Sequence, residues 1–570
     1  MRRAALLALA ASLPFTTSVA AQPSRDARRP ATGAAVLTGT IVSDEFTPHP
    51  IRHARVVCAA SDRPASVTAI TDEQGRFTCA RLPAGRYVIS VTRDGWVGAA
   101  YGAARPLRPG SAVPLADGQR ADVVLRMVRG AVITGTVLDE RGQPAAGASV
   151  VALRATTIEG QRRMIATGSA GLTDDRGVYR IYGLAPGDYF VSAGPSGSAL
   201  SLQDALTAQS DGRERHVALA STYYPGTAVP LEAAPIHLAA SEERTDVDFA
   251  LEIVPSAQVD GTLMMPDGTA PPPAAQLSLV PGGAAAIEGL AFAGLKTTRP
   301  DSQGVFSFSG VVPGEYTLLA RLAATPVLWA STQIVVQGDP VSGLALALQP
   351  ALSIAGTVRL EGSEGSRPPF GLGSIRIVCE PVQALGDIGL APDAVLVDAD
   401  GRFVVRGVVP GRYRLLAALP AAAKKGGWIQ RAGVINGADT LDVPAAIAQS
   451  AGDAFVTLTD RAAHLSGRLP DSDGTAPSAT TVVLFPTDPA LRVPRSRRIQ
   501  AVRADAAGAF AFDGLPPGDY LIALAEDVEP GEWQDPAFLA RLVSGAVAVA
   551  LGEGESRTAV LRPRMVAAVR

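Results

Sequence analysis

The sequence predicts an all-β chain of five tandem antiparallel β-sandwich domains. A pattern of about 16 residues, first seen as DEQGRFTCARLPAGRY at 72–87, returns four more times along the 570 residues. Within each copy apolar residues alternate with other residues, which is the period of a strand with one buried face. Glycine (58) and proline (44) punctuate these runs and favour tight turns. Short strands joined by frequent turns are typical of sandwiches.

The first residues predict an export signal. Residues 1–21 hold two arginines, an apolar run and a small-residue end, which is the pattern of a cleaved signal peptide. Residues 22–35 follow as a linker rich in proline and arginine. No run reaches the ~18 apolar residues that a membrane-spanning helix needs. We therefore expect an exported protein without a transmembrane segment, in the periplasm, outside the cell or at its surface.

The overall composition argues against a nucleic-acid partner. The formal net charge is −3, and only three of the 51 basic residues are lysines. Domains that bind nucleic acid usually carry a basic excess, so no nucleic-acid partner is expected. The hydrophobic share of 47% predicts packed cores rather than disorder.

The five copies of the pattern divide the chain into five segments of roughly 100 residues. The later copies are DDRGVYRIYGLAPGDY (174–189), DSQGVFSFSGVVPGEY (301–316), DADGRFVVRGVVPGRY (398–413) and DAAGAFAFDGLPPGDY (505–520). The predicted domains, called segments 1 to 5 below, are 36–129, 130–254 with a loop insertion, 255–350, 351–462 and 463–570.

Each segment begins and ends with a strand. The opening strand has the form seen in LTGTIV (37–42), and the closing strand is an alternating run such as DVVLRM. Few stretches favour helix, and 200–210 and 535–543 are the best candidates.

Two residue types within the pattern have a predicted structural role. An aspartate three residues before the first glycine can accept a backbone N–H, and the glycine takes a positive φ, so D-x-x-G predicts a hairpin turn. The closing tyrosine is expected to bond a backbone group, by analogy with the tyrosine corner of sandwich proteins. These residues are Asp72, Asp174, Asp301, Asp398 and Asp505, with Tyr87, Tyr189, Tyr316, Tyr413 and Tyr520.

A metal site at the pattern is not favoured. Calcium needs several convergent oxygen ligands. Asp175 and Asp188 are replaced by other residue types in other copies, so a single carboxylate recurs in all five. We expect no metal and no cofactor.

The chain has three cysteines. Cys58 and Cys79 both fall on inward-facing strand positions, where a disulfide and two free packed thiols are equally compatible with the pattern. Cys379 is expected to pack in a core.

The motifs resemble the bacterial carboxypeptidase regulatory-like domain. The resemblance rests on the opening strands, the five patterns and the turn-strand GQPAAGASV at 142–150. It implies a Greek-key, prealbumin-like sandwich, grouped with carbohydrate-binding-like and Cna-B-like domains. It implies no catalytic residue, because the zinc peptidase domain that this domain accompanies in carboxypeptidases is missing from the sequence. The Lys–Asn crosslink of Cna-B-like domains is also excluded in segments 1, 2 and 5, which contain no lysine.

The sequence contains no recognisable catalytic motif. It has five histidines and no H-E-x-x-H, no G-x-S-x-G and no phosphate-binding glycine loop. We therefore expect a protein that is not an enzyme.

Aromatic residues follow the motif tyrosine in every segment, and they are the candidate binding residues. Each could close one end of its sandwich, or it could offer a stacking surface to a sugar ring or a partner protein. The residues are Trp428, Trp533, Trp96, Trp329, Tyr223 and Tyr224. The arginine cluster LRVPRSRRIQ (491–500) is expected to be a solvated strand face.

Two hypotheses for function remain open. In the first, the chain is a non-catalytic exported protein that binds a polysaccharide through these loop aromatics. In the second, it is an envelope spacer or scaffold that contacts another envelope protein, and its domains form an extended string.

Overall fold

The structure is a computed structural model that describes residues 33–61, 65–103, 105–158, 160–194, 207–210, 213–282, 295–382, 391–469, 480–505 and 508–560. Strands dominate these residues, which confirms the all-β prediction. The predicted signal peptide and most of the predicted linker lie outside the described residues.

Segment 1 forms two sheets. Its strands are β1 (Ala35–Ser43), β2 (Arg55–Ala60), β3 (Ser66–Ile70), β4 (Arg76–Leu82), β5 (Gly85–Thr92), β6 (Ala99–Ala100), β7 (Val113–Leu115) and β8 (Arg120–Met127). One sheet has the order β4–β1–β8 and the other β3–β2–β5–β6, with β7 also paired to β5.

Segment 2 repeats this arrangement and adds a third sheet. Its strands are β9 (Ala131–Leu138), β10 (Ser149–Ile158), β11 (Gln161–Leu172), β12 (Val178–Leu184), β13 (Gly187–Gly194), β14 (Thr207–Ser210), β15 (Arg213–Leu219), β16 (Thr222–Tyr223), β17 (Ile236–Leu238), β18 (Glu243–Arg244), β19 (Phe249–Ala250) and β20 (Ile253–Pro255). The sheets are β12–β9–β18 with β19 on β9, β11–β10–β13–β16 with β17 on β13, and β14–β15–β20.

Segment 3 has two sheets. Its strands are β21 (Ala257–Met264), β22 (Gln276–Pro281), β23 (Lys296–Thr298), β24 (Val305–Val311), β25 (Gly314–Leu322), β26 (Leu328–Val336), β27 (Val341–Ala347) and β28 (Gln349–Pro350). Their orders are β24–β21–β27 and β23–β22–β25–β26–β28.

Segment 4 also has two sheets. Its strands are β29 (Leu352–Glu361), β30 (Arg376–Pro381), β31 (Val395–Leu396), β32 (Arg402–Val408), β33 (Gly411–Ala418), β34 (Ile429–Ile435), β35 (Ala438–Asp439), β36 (Ala445–Ile447) and β37 (Ala451–Thr459). Their orders are β32–β29–β37–β34–β35 and β31–β30–β33–β36.

Segment 5 closes the described chain. Its strands are β38 (Ala463–Arg468), β39 (Thr481–Pro486), β40 (Gln500–Arg503), β41 (Ala509–Leu515), β42 (Gly518–Ala525), β43 (Val547–Leu551) and β44 (Ser556–Val560). They form the sheets β41–β38–β44 and β40–β39–β42–β43.

Helices are short. The α-helices of the described chain are α1 (Ala421–Lys425) and α2 (Pro536–Leu542), and 3₁₀ turns lie at Pro230–Glu232, Leu372–Ser374, Pro489–Leu491, Glu532–Gln534 and Val543–Gly545. The helix predicted at 535–543 is present, capped by the Asp535 carboxylate on the Ala537 N–H. The helix predicted at 200–210 is absent from 207–210, which form β14, and its other residues lie outside the described ones.

The two main sheets of each segment share one apolar core. In segment 1, Leu37 and Phe77 of one sheet meet Val56 and Ile89 of the other, and all four are buried. A comparable cluster fills each of the other segments. Segment 5 has a second cluster, in which α2 covers the outer face of its four-stranded sheet.

The recurrent pattern connects the two sheets, and the hairpin prediction for its first turn was wrong. The strand before the D-x-x-G turn lies in one sheet and the strand after it lies in the other, as β3 and β4 do. The second turn returns the chain to the first sheet at β5. Because the same order holds in all five copies, the pattern crosses the core twice and ties the sheets together.

Each opening strand has a parallel neighbour that the pattern does not predict. The strand β1 pairs antiparallel with β4 but parallel with the closing strand β8. The same holds for β21 with β27, β29 with β37 and β38 with β44. In segment 2 the opening strand β9 pairs parallel with β18 and β19. Each opening strand therefore runs side by side with, and in the same direction as, a strand late in its segment.

The glycine of the opening strand allows this close pairing. A Cβ placed on Gly356 would lie 2.2 Å from the Ala454 carbonyl oxygen and 2.7 Å from the Phe403 ring. The four other opening strands carry a glycine in the same tight position: Gly39, Gly135, Gly261 and Gly467.

Candidate functional site

The pattern aspartates form turns. The Oδ1 atom of Asp174 accepts the N–H of Arg176 at 3.0 Å and that of Val178 at 2.8 Å. Asp72, Asp301 and Asp398 accept equivalent pairs of bonds, and Asp505 accepts the Ala509 N–H. The glycine of each turn has a positive φ, which L side chains rarely adopt: Gly75, Gly177, Gly304, Gly401 and Gly508.

The pattern tyrosines each bond a backbone carbonyl four residues earlier. The hydroxyls of Tyr87, Tyr189, Tyr316, Tyr413 and Tyr520 donate to the carbonyls of Pro83, Ala185, Val312, Val409 and Pro516 at 2.6–2.9 Å. Burial raises the pKa of Tyr316, Tyr413 and Tyr520 to about 12. Aspartates and tyrosines alike are therefore occupied in holding the turns.

The cysteines lie inside the cores. Cys58 and Cys79 form a disulfide between the two sheets of segment 1. Cys379 is a free, buried thiol, and burial raises its pKa to about 12. A thiol with such a pKa is not a nucleophile at neutral pH.

Most of the candidate aromatics are closed to a ligand. Trp428 is 3% exposed and packs edge-on against Phe370, and Trp329 is 8% exposed. Tyr223 is buried, and Tyr224 packs against Phe249. These side chains therefore offer little surface to a ligand. Trp533 is partly exposed and lies against the second core of segment 5.

Trp96 is placed differently. Its indole rests on the core of segment 1 and remains partly exposed at the wall of an open groove of about 270 Å³. The groove is lined by Ser43, Glu45, His49, Pro50, Ile51, Arg52, Arg93, Trp96 and Arg129.

Two backbone features hold Trp96 in the groove wall. A turn over RDGW ends with the Trp96 N–H donating to the Arg93 carbonyl at 3.1 Å. Gly95 adopts φ +79° inside this turn. Across the groove wall, Trp96 pairs with Arg129, which follows the end of β8. The main chain therefore holds both arginines next to Trp96.

The other wall is a loop between β1 and β2. The Ser43 hydroxyl accepts the His49 N–H at 2.9 Å, and the Ser43 N–H donates to the His49 carbonyl at 2.9 Å. The closed loop contributes Glu45 and His49 to the groove. Its tip carries Phe46, whose side chain is fully exposed to solvent.

The three arginines of the groove differ in their ion pairing. Arg52 binds Glu73 at 2.8 Å, and this pair raises the pKa of Arg52 and lowers that of Glu73. Arg93 and Arg129 form no ion pair within the described part of the chain. The groove lining therefore combines one indole with two arginines that form no ion pair in the described residues.

Sequence reasoning found Trp96 but not the groove. Arg129 lies far from Trp96 in the chain, and only the path of the loop after β5 beside the end of β8 brings them together. The RDGW turn was the available signal, because it joins a cation, a turn glycine and an aromatic residue.

The expectation for the arginine cluster at 491–500 was wrong. Arg498 binds Asp442 of segment 4 at 2.9 Å, and Arg495 binds Glu380 at 2.6 Å. Arg497 donates to the Gln430 carbonyl at 2.8 Å. The cluster is a contact between segments 4 and 5. Alternation along a strand cannot reveal a neighbouring domain.

The described residues contain neither a metal-binding cluster nor a membrane-spanning helix. They contain no group of three or more His, Cys, Asp or Glu side chains placed to hold a metal ion. They also contain no helix long and apolar enough to cross a membrane.

Comparisons with known proteins are limited to family and fold. No curated protein sequence matches the chain. Among solved structures, the Bacillus anthracis TIE protein is 12% identical over 74% of this chain and 72% of its own, with a TM-score of 0.15. The minor pilin GBS52 of Streptococcus agalactiae is 14% identical over 39% of this chain and 98% of its own, with a TM-score of 0.22. A streptococcal ancillary pilin is 13% identical over 55% of this chain and 99% of its own, with a TM-score of 0.20. TM-scores this low support no conclusion about this chain.

A family model gives the firmer result. The model of the carboxypeptidase regulatory-like domain matches residues 36–128 and 132–220, which are nearly all of segment 1 and the greater part of segment 2. The resemblance that the motifs indicate is thereby confirmed for these two stretches.

Proposed function

We propose that the chain is an exported, non-catalytic binding protein of five sandwich domains, and that the Trp96 groove of segment 1 binds one unit of a glycan chain. The observation that carries this proposal is a partly exposed indole in an open groove with polar groups around it. An aromatic face stacks on the apolar face of a sugar ring, and the polar groups fix its hydroxyls.

The size and shape of the groove suit a chain rather than an enclosed molecule. Its volume of about 270 Å³ lies just below the ~300–1,000 Å³ of pockets that enclose drug-sized ligands. An open groove of this size leaves both ends of a polymer free. This supports the glycan hypothesis over a soluble metabolite.

Calorimetric titration of the full chain with oligosaccharides tests the proposal. We expect Trp96→Ala to abolish binding, because the stacking surface is lost. Trp533→Phe is the matched control, since Trp533 is also partly exposed but lies outside the groove. Equal binding by Trp96→Ala and the unaltered chain, or no binding across neutral and acidic glycans, would overturn the proposal.

One observation favours a second candidate, contact with another envelope protein. Phe46 is a fully exposed aromatic residue beside the groove, and such residues often anchor protein interfaces. Phe46→Ser would abolish this contact and leave glycan binding intact. The hypothesis of an extended spacer receives less support, because Arg108 of segment 1 and Arg154 of segment 2 both form ion pairs with Glu529 of segment 5.

A further inference from the structure

We infer that the ligand of the Trp96 groove is an anionic sugar unit, carrying a carboxylate as a uronate does. This inference rests on the proposed glycan-binding function of the same groove and specifies its ligand class. The observation behind it is that Arg93 and Arg129 line the same groove as Trp96 and that both contact it through the backbone.

The main chain fixes this juxtaposition. Arg93 begins the turn that ends at Trp96, and Arg129 lies opposite Trp96 in the backbone pairing. Val97 and Gly130 extend the contact through bonds to the carbonyls of Val128 and Gly95, at 3.0 and 2.9 Å. The backbones of both arginines are therefore held next to Trp96. Binding through them needs no long loop to become ordered.

The balance of charge selects an anion. Three arginines line the groove, and only Arg52 has a carboxylate partner in the described chain. Glu45 is the one acidic residue in the lining, and it lies in the loop between β1 and β2. A guanidinium group binds a carboxylate through two parallel N–H bonds, which makes arginine well suited to this ligand.

The indole restricts the class further. A free carboxylate or an inorganic anion would use the arginines but not the aromatic face. A neutral sugar would use the aromatic face and could accept hydrogen bonds from the arginines, but it would leave their positive charge uncompensated. A carboxylate-bearing sugar ring uses both, with the ring over Trp96 and the carboxylate toward Arg93 and Arg129.

Oligogalacturonate and its methyl ester are the matched probes, because esterification removes the charge and keeps the ring. We expect the full chain to bind oligogalacturonate about tenfold or more tightly than the ester. Arg93→Gln and Arg129→Gln should each weaken binding of the acid by a similar factor and leave the ester unchanged. Arg126→Gln, on the exposed side of β8, is the control for the same loss of charge elsewhere.

The possible outcomes separate the inference from the proposed function. Equal binding of acid and ester, lost in Trp96→Ala, would overturn the inference and leave the glycan function standing. No binding of either, or of neutral glycans, would overturn both. Dextran sulfate tests for adsorption of any polyanion. If it binds as tightly as oligogalacturonate and independently of Trp96, the inference falls.

Discussion

Asp174 shows how much a single residue of the pattern does. Its carboxylate accepts two backbone N–H groups, and the Val178 bond is the largest cause of a pKa below the ordinary value of 3.8. A lowered pKa means that the folded state favours the charged form. The stabilisation is therefore complete above the unfolded pKa and is lost as the pH falls through the folded pKa.

This linkage predicts a pH-dependent effect of Asp174→Asn. Asparagine keeps an acceptor for the turn but has no charge. The variant should melt at a lower temperature than the unaltered chain at pH 6, and the difference should vanish near pH 2. Calorimetric melting between these pH values measures it. Asp175→Asn is the control, and an equal effect there would contradict the turn assignment.

The cysteines give a second prediction at the residue scale. We expect no thiol of the native chain to react with a thiol reagent at pH 8, because Cys58 and Cys79 are bonded and Cys379 is buried with a pKa of about 12. Unfolding without reductant should release one reactive thiol, and reduction should release three. Three reactive thiols before reduction would contradict the disulfide.

At the scale of elements, the pattern takes the chain from one sheet to the other and back. The aspartate stabilises the first turn, and the tyrosine stabilises the second. Its tyrosine lies in the core at the start of the return strand and bonds the turn that precedes it. The geometry is the same in all five copies, although the residues around the tyrosine differ.

Tyr413→Phe tests the second turn. The Tyr413 hydroxyl donates to the Val409 carbonyl at 2.8 Å in a buried setting. Because the ring is kept, the change should cost about 1 kcal/mol, the usual net value of one hydrogen bond. Melting of the full chain measures this cost. Tyr182→Phe is the control, since Tyr182 is exposed and its hydroxyl makes no bond in the described chain, and a cost as large there would refute the assignment.

The same elements show what sequence could and could not predict. The period of two, the turn glycines and the recurrent tyrosine identify the strands and the sandwich, because these features depend on local geometry. The pairing partner of a strand does not depend on local geometry. Asp72 and Gly75 build the same tight turn whether it joins two strands of one sheet or two strands of different sheets. The groove was hidden for a related reason, since Arg129 reaches Trp96 only through tertiary pairing.

At the scale of the whole molecule, the two ends of the described chain are joined. Arg108 of segment 1 binds Asp527 and Glu529 of segment 5, each at 2.9 Å, and its side chain is only 15% exposed. Arg154 of segment 2 lies 3.6 Å from the same Glu529. A Cβ on Gly160 would lie 2.3 Å from the Gln534 carbonyl oxygen, so segments 2 and 5 are also in close contact. The chain therefore folds back on itself.

Arg108→Ala should open this closure. The substitution leaves Asp527 and Glu529 partly buried and less well paired, which should cost about 1–3 kcal/mol because the pair is more buried than a surface ion pair. Small-angle scattering should then show a larger radius of gyration than for the unaltered chain. High salt should enlarge the unaltered chain in the same direction, since it screens the partly exposed charges around this contact.

Arg176→Ala provides the control for that experiment. Arg176 pairs with Asp174 at 3.2 Å within segment 2 and is 76% exposed, so its loss should leave the radius unchanged. If Arg108→Ala and Arg176→Ala scatter alike, the ion pairs of Arg108 do not hold the chain closed. If only Arg108→Ala expands, the groove of segment 1 belongs to a closed assembly in which segment 5 fixes its position.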